Sequence, residues 1–246
     1  MGNIIGYECR RLLGNKFFVG LLAVTLFYGW QVLQRVTILG VSHTAPFSPW
    51  SFGDYLSRMV PLLWIGTLFL LTFFTSSKAR RVSVLTSAAP ISPRRYGLAR
   101  CAAALTGAAL LAGACLLEAA LFYGWYFSWH QWSTLWFPAL VTLVPPVAFA
   151  LGSGWVLGRA RPWLIYAWMA LPLLGAVFPL PRALSIWNGS FFTLYPLALE
   201  TLDPSFALPL SNALAQWCLL AAGVVLLLQN RERPIRPRHW KGPGPS

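Results

Sequence analysis

Apolar runs long enough to cross a bilayer recur along this sequence, and short gaps rich in Lys and Arg separate them. A spanning helix needs about 20 predominantly apolar residues, and a continuous apolar run satisfies its own backbone hydrogen bonds in lipid only as a helix. Six such runs lie at residues 17–39, 55–76, 98–126, 135–157, 163–180 and 210–228. The pattern predicts an all-α integral membrane protein with six transmembrane helices.

The composition is that of a membrane protein. Of the 246 residues, 57% are hydrophobic and only 10% are charged, whereas a soluble domain carries about 25% charged residues. The net charge of +13 could suggest a nucleic-acid partner, but the basic residues lie in short gaps between apolar runs. That placement reports membrane topology and argues against nucleic acid as a partner. The four cysteines have no metal-ligand spacing, and we expect reduced thiols packed as small hydrophobes.

The distribution of basic residues orients the helices. With six spans and both termini in the cytoplasm, sixteen of the nineteen Lys and Arg residues fall on the inner side. Only Arg35, Arg58 and Arg182 fall outside. Short loops rich in Lys and Arg stay on the cytoplasmic side, so the sequence predicts a multi-pass protein of the cytoplasmic (plasma) membrane with both termini inside.

Three regions follow from this pattern. Residues 1–16 predict an amphipathic helix that lies along the inner leaflet before the chain enters the membrane. Its apolar face carries Ile5, Cys9, Leu12 and Leu13, and its polar face carries Glu8, Arg11 and Asn15. Residues 17–229 form the six-helix transmembrane domain, in which the apolar segment 182–209 predicts short re-entrant helices between spans five and six. Residues 230–246 are a basic, proline-rich cytoplasmic tail.

Small residues crowd the third span. The pairs Ala108/Ala112 and Ala109/Gly113 are each four residues apart, and such pairs let helix backbones approach closely. We therefore expect this helix inside the bundle.

Glu118, in the same span, is the only carboxylate well inside any predicted span. Because an intramembrane carboxylate is costly, it predicts either a residue that lines a cavity or a structural ion pair with Arg35 or Arg58. The sequence leaves both open. Asp54 and Arg58 are four residues apart and suit an exposed ion pair of their own at the outer start of the second span.

A basic segment, residues 77–100, joins spans two and three. It holds no carboxylate and six basic residues: Lys78, Arg80, Arg81, Arg94, Arg95 and Arg100. Its centre, from Val82 to Ile91, is mildly apolar, and it ends at Pro90 and Pro93. Two interpretations remain open: a positive-inside anchor with no partner, or a short helix that lies at the membrane surface or docks into another protein's groove.

Motifs for catalysis on this chain are lacking. The sequence has no Gly-x-x-x-x-Gly-Lys-Ser/Thr, so the chain does not bind ATP by a P-loop. Gly152-Ser153-Gly154 lies in span four, but no His lies within a predicted span to act as the base of a serine nucleophile. We interpret this tripeptide as a helix-packing site, and we expect no catalytic residue, cofactor or metal on this chain.

Three segments resemble those of ABC-2 type transporter permeases. Tyr7-Glu8-Cys9-Arg10-Arg11, in an amphipathic amino-terminal segment, resembles the start of these proteins. The stretch Lys78–Tyr96 reads KARRVSVLTSAAPISPRRY. It is similar to the family's loop between helices two and three, where a Leu-x-Ser-x-Pro-Val/Ile-Ser-Arg type of sequence recurs. The apolar segment 182–209 is similar to the family's re-entrant helices.

The resemblance implies a permease subunit that exports an amphipathic or lipophilic substrate. In the family this loop is a coupling helix that docks on a separate ATP-binding cassette subunit, and the matching positions here are Val82, Val84, Leu85, Thr86, Ser87 and Pro90. ATP and Mg would bind to that partner, and a second permease copy or a paralogue would complete the transporter. The alternative is a self-contained secondary carrier or intramembrane enzyme, which Glu118 alone supports, since the sequence shows no convincing internal repeat.

Overall fold

The computed structural model describes residues 2–42, 44–76, 93–178, 180–199, 201 and 204–229, and within them every regular element is a helix. The α-helices are α1 (Gly2–Leu13), α2 (Lys16–Arg35), α3 (Pro49–Thr75), α4 (Pro93–Phe127), α5 (Trp136–Ala160), α6 (Leu164–Met169), α7 (Leu171–Val177), α8 (Ser190–Ala198) and α9 (Leu210–Leu228). Single 3-10 turns lie at Thr37–Leu39, Trp132–Thr134 and Arg182–Leu184. The predicted all-α class is confirmed for this part of the chain.

Five of these helices are long and apolar enough to cross a membrane: α2 with the turn that follows it, α3, α4, α5 and α9. The shortest, α9, has 19 residues, and at about 1.5 Å per residue it nearly matches a hydrocarbon core of about 30 Å. The chain is therefore a multi-pass membrane protein, as the sequence predicts.

The fifth predicted span, residues 163–180, is divided into α6 and α7, of six and seven residues. Pro172 stands in the first turn of α7 and has no N–H to donate to the carbonyl of Trp168, so the helix breaks there. The indole Nε1 of Trp64 donates to that carbonyl instead, at 3.2 Å. A sixth helix of membrane length is therefore not found among the described residues.

The central helix of the bundle is α3. In an apolar stretch of 18 residues in α3, 61% is buried, whereas the corresponding share is 28% for α2 and 17% for α9. Helices α2, α4 and α5 all pack against α3, while α9 packs against α5 and α1 packs mainly against α4. A displacement of α3 would therefore directly change its packing against every other membrane-length helix except α9.

Small residues on one side of α4 provide its close contacts. Ala108 is 1% exposed, and a Cβ added at the neighbouring Gly107 would lie 2.7 Å from the side chain of Leu70 on α3. The expected close approach of α4 is confirmed on this side. Ala109 and Gly113, in contrast, lie on the exposed side of α4, so this second pair makes no packing contact within the described chain.

A second hydrophobic cluster covers the start of α3. Trp50 is fully buried there, and its ring centroid lies 5.6 Å from that of Phe191, 5.7 Å from that of Tyr195 and 4.8 Å from that of Phe206. The Trp50 indole donates to the carbonyl of Pro204 at 2.8 Å. These contacts hold α8 and the chain before α9 against the first turns of α3.

All four cysteines are free thiols. Cys101 and Cys115 are buried in α4, and Cys9 is half-buried. These three match the prediction of small packed hydrophobes, whereas Cys218 is exposed on α9.

Candidate functional site

The residues predicted to couple to an ATPase lie outside the described residues, within segment 77–92: Val82, Val84, Leu85, Thr86, Ser87 and Pro90. Both flanks of that segment are described, because α3 ends at Thr75 and α4 begins at Pro93. We call this end of the bundle the loop end. A buried charged cluster forms there around Glu8 of α1.

Glu8 is only 1% exposed, and its side chain lies in the contact of α1 with α4. The Tyr96 hydroxyl donates to Glu8 Oε1 at 2.8 Å, Arg11 Nη1 lies 3.4 Å from Glu8 Oε2, and Arg100 Nε lies 3.9 Å from Glu8 Oε1. Arg100 also donates from Nη2 to the Tyr96 hydroxyl at 3.1 Å, and its guanidinium lies 4.2 Å from the centroid of the Tyr96 ring. The buried carboxylate is thus surrounded by two arginines and one phenol.

The same helix also reaches α3. The guanidinium carbon of Arg11 lies 5.7 Å from the ring centroid of Phe74, in the last turn of α3. Leu12 packs beside Gly107 of α4, and Leu70 of α3 packs against the same glycine. Helix α1 therefore straddles the end of α3 and the start of α4, which are the two helices that segment 77–92 connects. We call Glu8, Arg11, Phe74, Tyr96 and Arg100 the loop-end junction.

Sequence reasoning missed this junction, because Glu8 was placed with Arg11 and Asn15 on a polar face, which on an amphipathic helix is normally solvated. A signal was nevertheless present. Tyr96 and Arg100 are four residues apart, so they share one face of α4 at the start of an apolar span. An arginine at the start of an apolar span is expected to pair with a carboxylate. The chain has only six Asp and Glu residues that could provide it.

Glu118 lies where α2, α3 and α4 meet and is 8% exposed. The Tyr55 hydroxyl of α3 lies 3.5 Å from Glu118 Oε2 and donates to the carbonyl of Cys115 at 3.2 Å. On α2, Gly29 leaves room for the carboxylate, because a Cβ there would overlap Glu118 Oε2. Glu118 therefore joins three helices through a hydrogen bond and a close backbone approach.

The two arginines named with Glu118 lie elsewhere. Arg58 Nε donates to Asp54 Oδ2 at 2.8 Å, which confirms the pair predicted from their spacing, although Asp54 is 1% exposed rather than solvated. Arg35 is exposed at the last residue of α2. Among the described residues Glu118 forms no ion pair with Arg35 or Arg58, and its polar contacts are with the Tyr55 side chain and the Trp30 backbone.

Ser153 has a packing role, as its sequence context predicts. Trp168 Nε1 donates to Ser153 Oγ at 2.8 Å, and the Ser153 hydroxyl donates to the carbonyl of Phe149 at 2.5 Å. Gly152 lies against the backbone of Gly223 on α9. Within the described ranges no group of three or more His, Cys, Asp or Glu residues could hold a metal ion.

No protein-family model, curated protein or solved structure matches this chain. The resemblance to ABC-2 permeases therefore rests on two short motifs and the apolar segment 182–209 in the sequence. In the described part of the chain, the loop-end junction and the Glu118 contact are two of the buried polar arrangements that bear on function.

Proposed function

We propose that the chain is the non-catalytic transmembrane subunit of an ABC transporter of the ABC-2 type. In this proposal it exports an amphipathic or lipophilic substrate across the cytoplasmic membrane, and ATP is hydrolysed with Mg²⁺ on a separate ATP-binding cassette subunit. The observation that carries the proposal is the position of α1, which contacts both helices that flank segment 77–92. A second permease copy or a paralogue completes the transporter.

A force applied to segment 77–92 reaches the bundle by three routes. Helices α3 and α4 continue directly from the segment, and α1 is attached to α4 through Glu8 and to α3 through Arg11. Because α3 is the most buried of the membrane-length helices, its displacement is carried to α2, α4 and α5 together. This geometry suits a loop that receives mechanical work better than a loop that only marks topology.

The docking surface in this proposal is the apolar centre of the segment, with Val82, Val84, Leu85, Thr86, Ser87 and Pro90. An apolar stretch that ends in prolines can fill a groove on a partner protein. Closure of the ATPase dimer would then push this stretch and rotate the two halves of the transporter against each other.

We also propose six crossings, with α6 and α7 together as the fifth. Ile165 of α6 packs against Gly158 near the loop end of α5. Further along the chain, Trp168 accepts a hydrogen bond from the middle of α3, and Ile186 packs with Trp50 near the start of α3. The connection from α5 to α9 therefore advances along α3 from one end of the bundle towards the other.

The directions of α5 and α9 support the same topology. Phe137, the second residue of α5, lies 5.8 Å in ring-centroid distance from Phe206, which precedes α9, so both helices begin at the same end. The chain that connects them has to return across the bundle. Six crossings place both termini in the cytoplasm, in keeping with the bias of basic residues, and leave α8 as a re-entrant helix on the outer side.

Reconstitution with the ATPase tests the function. The tagged chain is co-expressed with an ATP-binding cassette protein from an adjacent reading frame that carries Walker motifs, where the genome has one, and the complex is placed in nanodiscs. Leu85→Asp puts a charge into a largely dry contact, at a cost on the order of a few kcal/mol. We expect this variant to insert normally but to lose the bound ATPase or the coupling of hydrolysis to transport.

Ile235→Asp is the matched control, because it makes the same kind of change in the basic tail on the same proposed side of the membrane. It should keep both the ATPase and its coupling. If the Leu85→Asp chain inserts, retains the ATPase and transports at the wild-type rate, segment 77–92 is a topology anchor and the proposal is wrong.

A further inference from the structure

Gln216 of α9 is a buried amide that lacks partners. It is 3% exposed, and neither Oε1 nor Nε2 has a hydrogen-bond partner among the described residues. Asn212, one turn earlier on the same face, is about as buried but donates to the carbonyl of Arg182 at 3.0 Å and to the hydroxyl of Ser185 at 3.2 Å. Because buried polar groups are nearly always bonded to protein or to ordered water, Gln216 calls for a partner.

Gln216 lies on the same face of α9 as Gly223, which is seven residues further on. A Cβ added at Gly223 would lie 2.6 Å from the carbonyl of Ala148 on α5, so these two residues mark where the helices meet. Since α5 and α9 begin at the same end, a step of seven residues, about two turns, back from each reaches Gln216 and Val141. Gln216 therefore lies opposite residues 141–146 of α5.

That stretch is the polar part of an otherwise apolar helix. Pro145 and Pro146 have no N–H, so the carbonyls of Val141 and Thr142 have no donor four residues further on. Thr142 is fully buried, and its Oγ1 has no partner within the described part of the chain. Two backbone carbonyls, one hydroxyl and the Gln216 amide thus lie at the same level of the packed helices α5 and α9.

We propose that Gln216, Thr142 and the carbonyls released by Pro145 and Pro146 form a binding site for internal water within the membrane domain. Water fits because it both donates and accepts: the carbonyls need a donor, and the amide nitrogen of Gln216 needs an acceptor. A bare cation would leave that nitrogen unpaired. Moreover, neither residues 136–158 of α5 nor α9 carries a carboxylate to balance a charge.

Water at this position also explains why α5 continues as one helix from Trp136 to Ala160 although it contains both prolines. Ordered water is one of the ways in which membrane helices satisfy the backbone groups that proline releases. At Pro172 the same need is met by the Trp64 indole, and there the helix breaks. The site is independent of the proposed transport function, because it depends only on the contact of α5 with α9.

Hydroxyl-radical footprinting of the full chain in nanodiscs tests the site, since radiolysis of a bound water modifies the side chains beside it. Relative to intrinsic reactivity, we expect modification of Pro145 and Pro146 well above that of Leu151, which is 2% exposed on the same helix. Gln216→Leu is close in volume and removes both polar atoms without adding a reactive thioether. It should abolish this excess, whereas the exposed Gln229→Leu should leave it unchanged.

Thr142→Val is isosteric and serves as the second variant if Gln216→Leu does not fold, as judged by gel filtration and circular dichroism. It should reduce the excess modification as well. If Pro145 and Pro146 in the wild type react no more than Leu151, Gln216 is satisfied by a direct contact and the water site is wrong. Unchanged modification in the folded variants would overturn it too, because Gln216 and Thr142 would then not hold the water.

Discussion

Tyr96 of α4 donates a 2.8 Å hydrogen bond to Glu8 of α1, and this bond joins residues 88 positions apart in the sequence. It lies beside the last turn of α3, which Arg11 of α1 also contacts. Because α1 packs mainly against α4, the position of this short helix depends on the buried carboxylate of Glu8 as well as on the buried Leu12. Glu8 is thus an internal contact, although Arg11 beside it is 45% exposed and the sequence is typical of a helix that is solvated on that face.

Replacing Glu8 with Ala should strongly reduce stability. Arg100 is only 9% exposed and would lose its counter-charge, and removing one member of a buried pair typically costs about 3–5 kcal/mol. Arg10→Ala, at an exposed position of the same helix, should change stability by no more than about 0.5 kcal/mol. Thermal melting of the detergent-solubilised chain, followed by fluorescence gel filtration, measures both.

A double variant separates charge from packing at this junction. If Glu8 and Arg100 interact through their charges, Glu8→Gln with Arg100→Gln should lose less stability than the sum of the single variants. An additive result would mean that the carboxylate is stabilised by Arg11 and Tyr96 without a contribution from Arg100.

The close contact between Glu118 of α4 and Gly29 of α2 can be tested by substituting the glycine. Gly29→Ala places a methyl group against Glu118 Oε2 and 3.0 Å from the Tyr55 hydroxyl, and we expect a loss of roughly 1–3 kcal/mol because the Glu118 carboxylate has to turn away from Tyr55. Gly20→Ala is the control, because nothing lies within 4 Å of its Cβ and alanine gains about 1 kcal/mol of helix propensity. Opposite shifts in melting temperature are expected, and equal stabilisation of both variants would exclude the close contact.

Long helices could be predicted because apolar runs of about 20 residues have few other solutions in lipid. Span six was predicted at 210–228, and α9 has the same bounds. Span two was predicted to begin at Tyr55, but α3 begins at Pro49. Ser48 caps it there by accepting from the Ser51 N–H at 3.2 Å, a local signal that a hydropathy window ignores.

What the sequence could not supply were contacts between distant residues. The hydropathy of residues 163–180 does not show that Pro172 leaves the Trp168 carbonyl without its helical donor. Nor does it show that the Trp64 indole can donate to that carbonyl instead. The burial of Glu8 likewise depends on Tyr96, across the basic segment. In each case the deciding partner is a single side chain on another helix, so no pattern along one helix contains it.

Contact between α5 and α9 should be sensitive to a single methyl group. A Cβ at Gly223 would lie 2.6 Å from the backbone of Ala148, which cannot turn aside as a flexible side chain could. Gly223→Ala should therefore lower stability by roughly 1–3 kcal/mol. Gly113→Ala on α4 has nothing within 4 Å of its Cβ and should not destabilise the chain. Unfolding in nanodiscs, monitored by tryptophan fluorescence, distinguishes them, and equal melting temperatures would contradict the packing of α9 on α5.

Reporter fusions decide the number of crossings. With six crossings, fusions after Phe47 and Asn188 should report the outer side, and a fusion after Ser246 should report the cytoplasm. The physical reason is the retention of Lys and Arg on the inner side, which places the basic residues of segment 77–100 and the tail together. With five crossings, in which α6 and α7 stay on the inner side, Ser246 would instead match Phe47 and Asn188 would report the cytoplasm. Alkaline phosphatase activity and green fluorescence, read from paired fusions at each site, separate these outcomes, and an outer Ser246 would reject the role of α6 and α7 as a crossing.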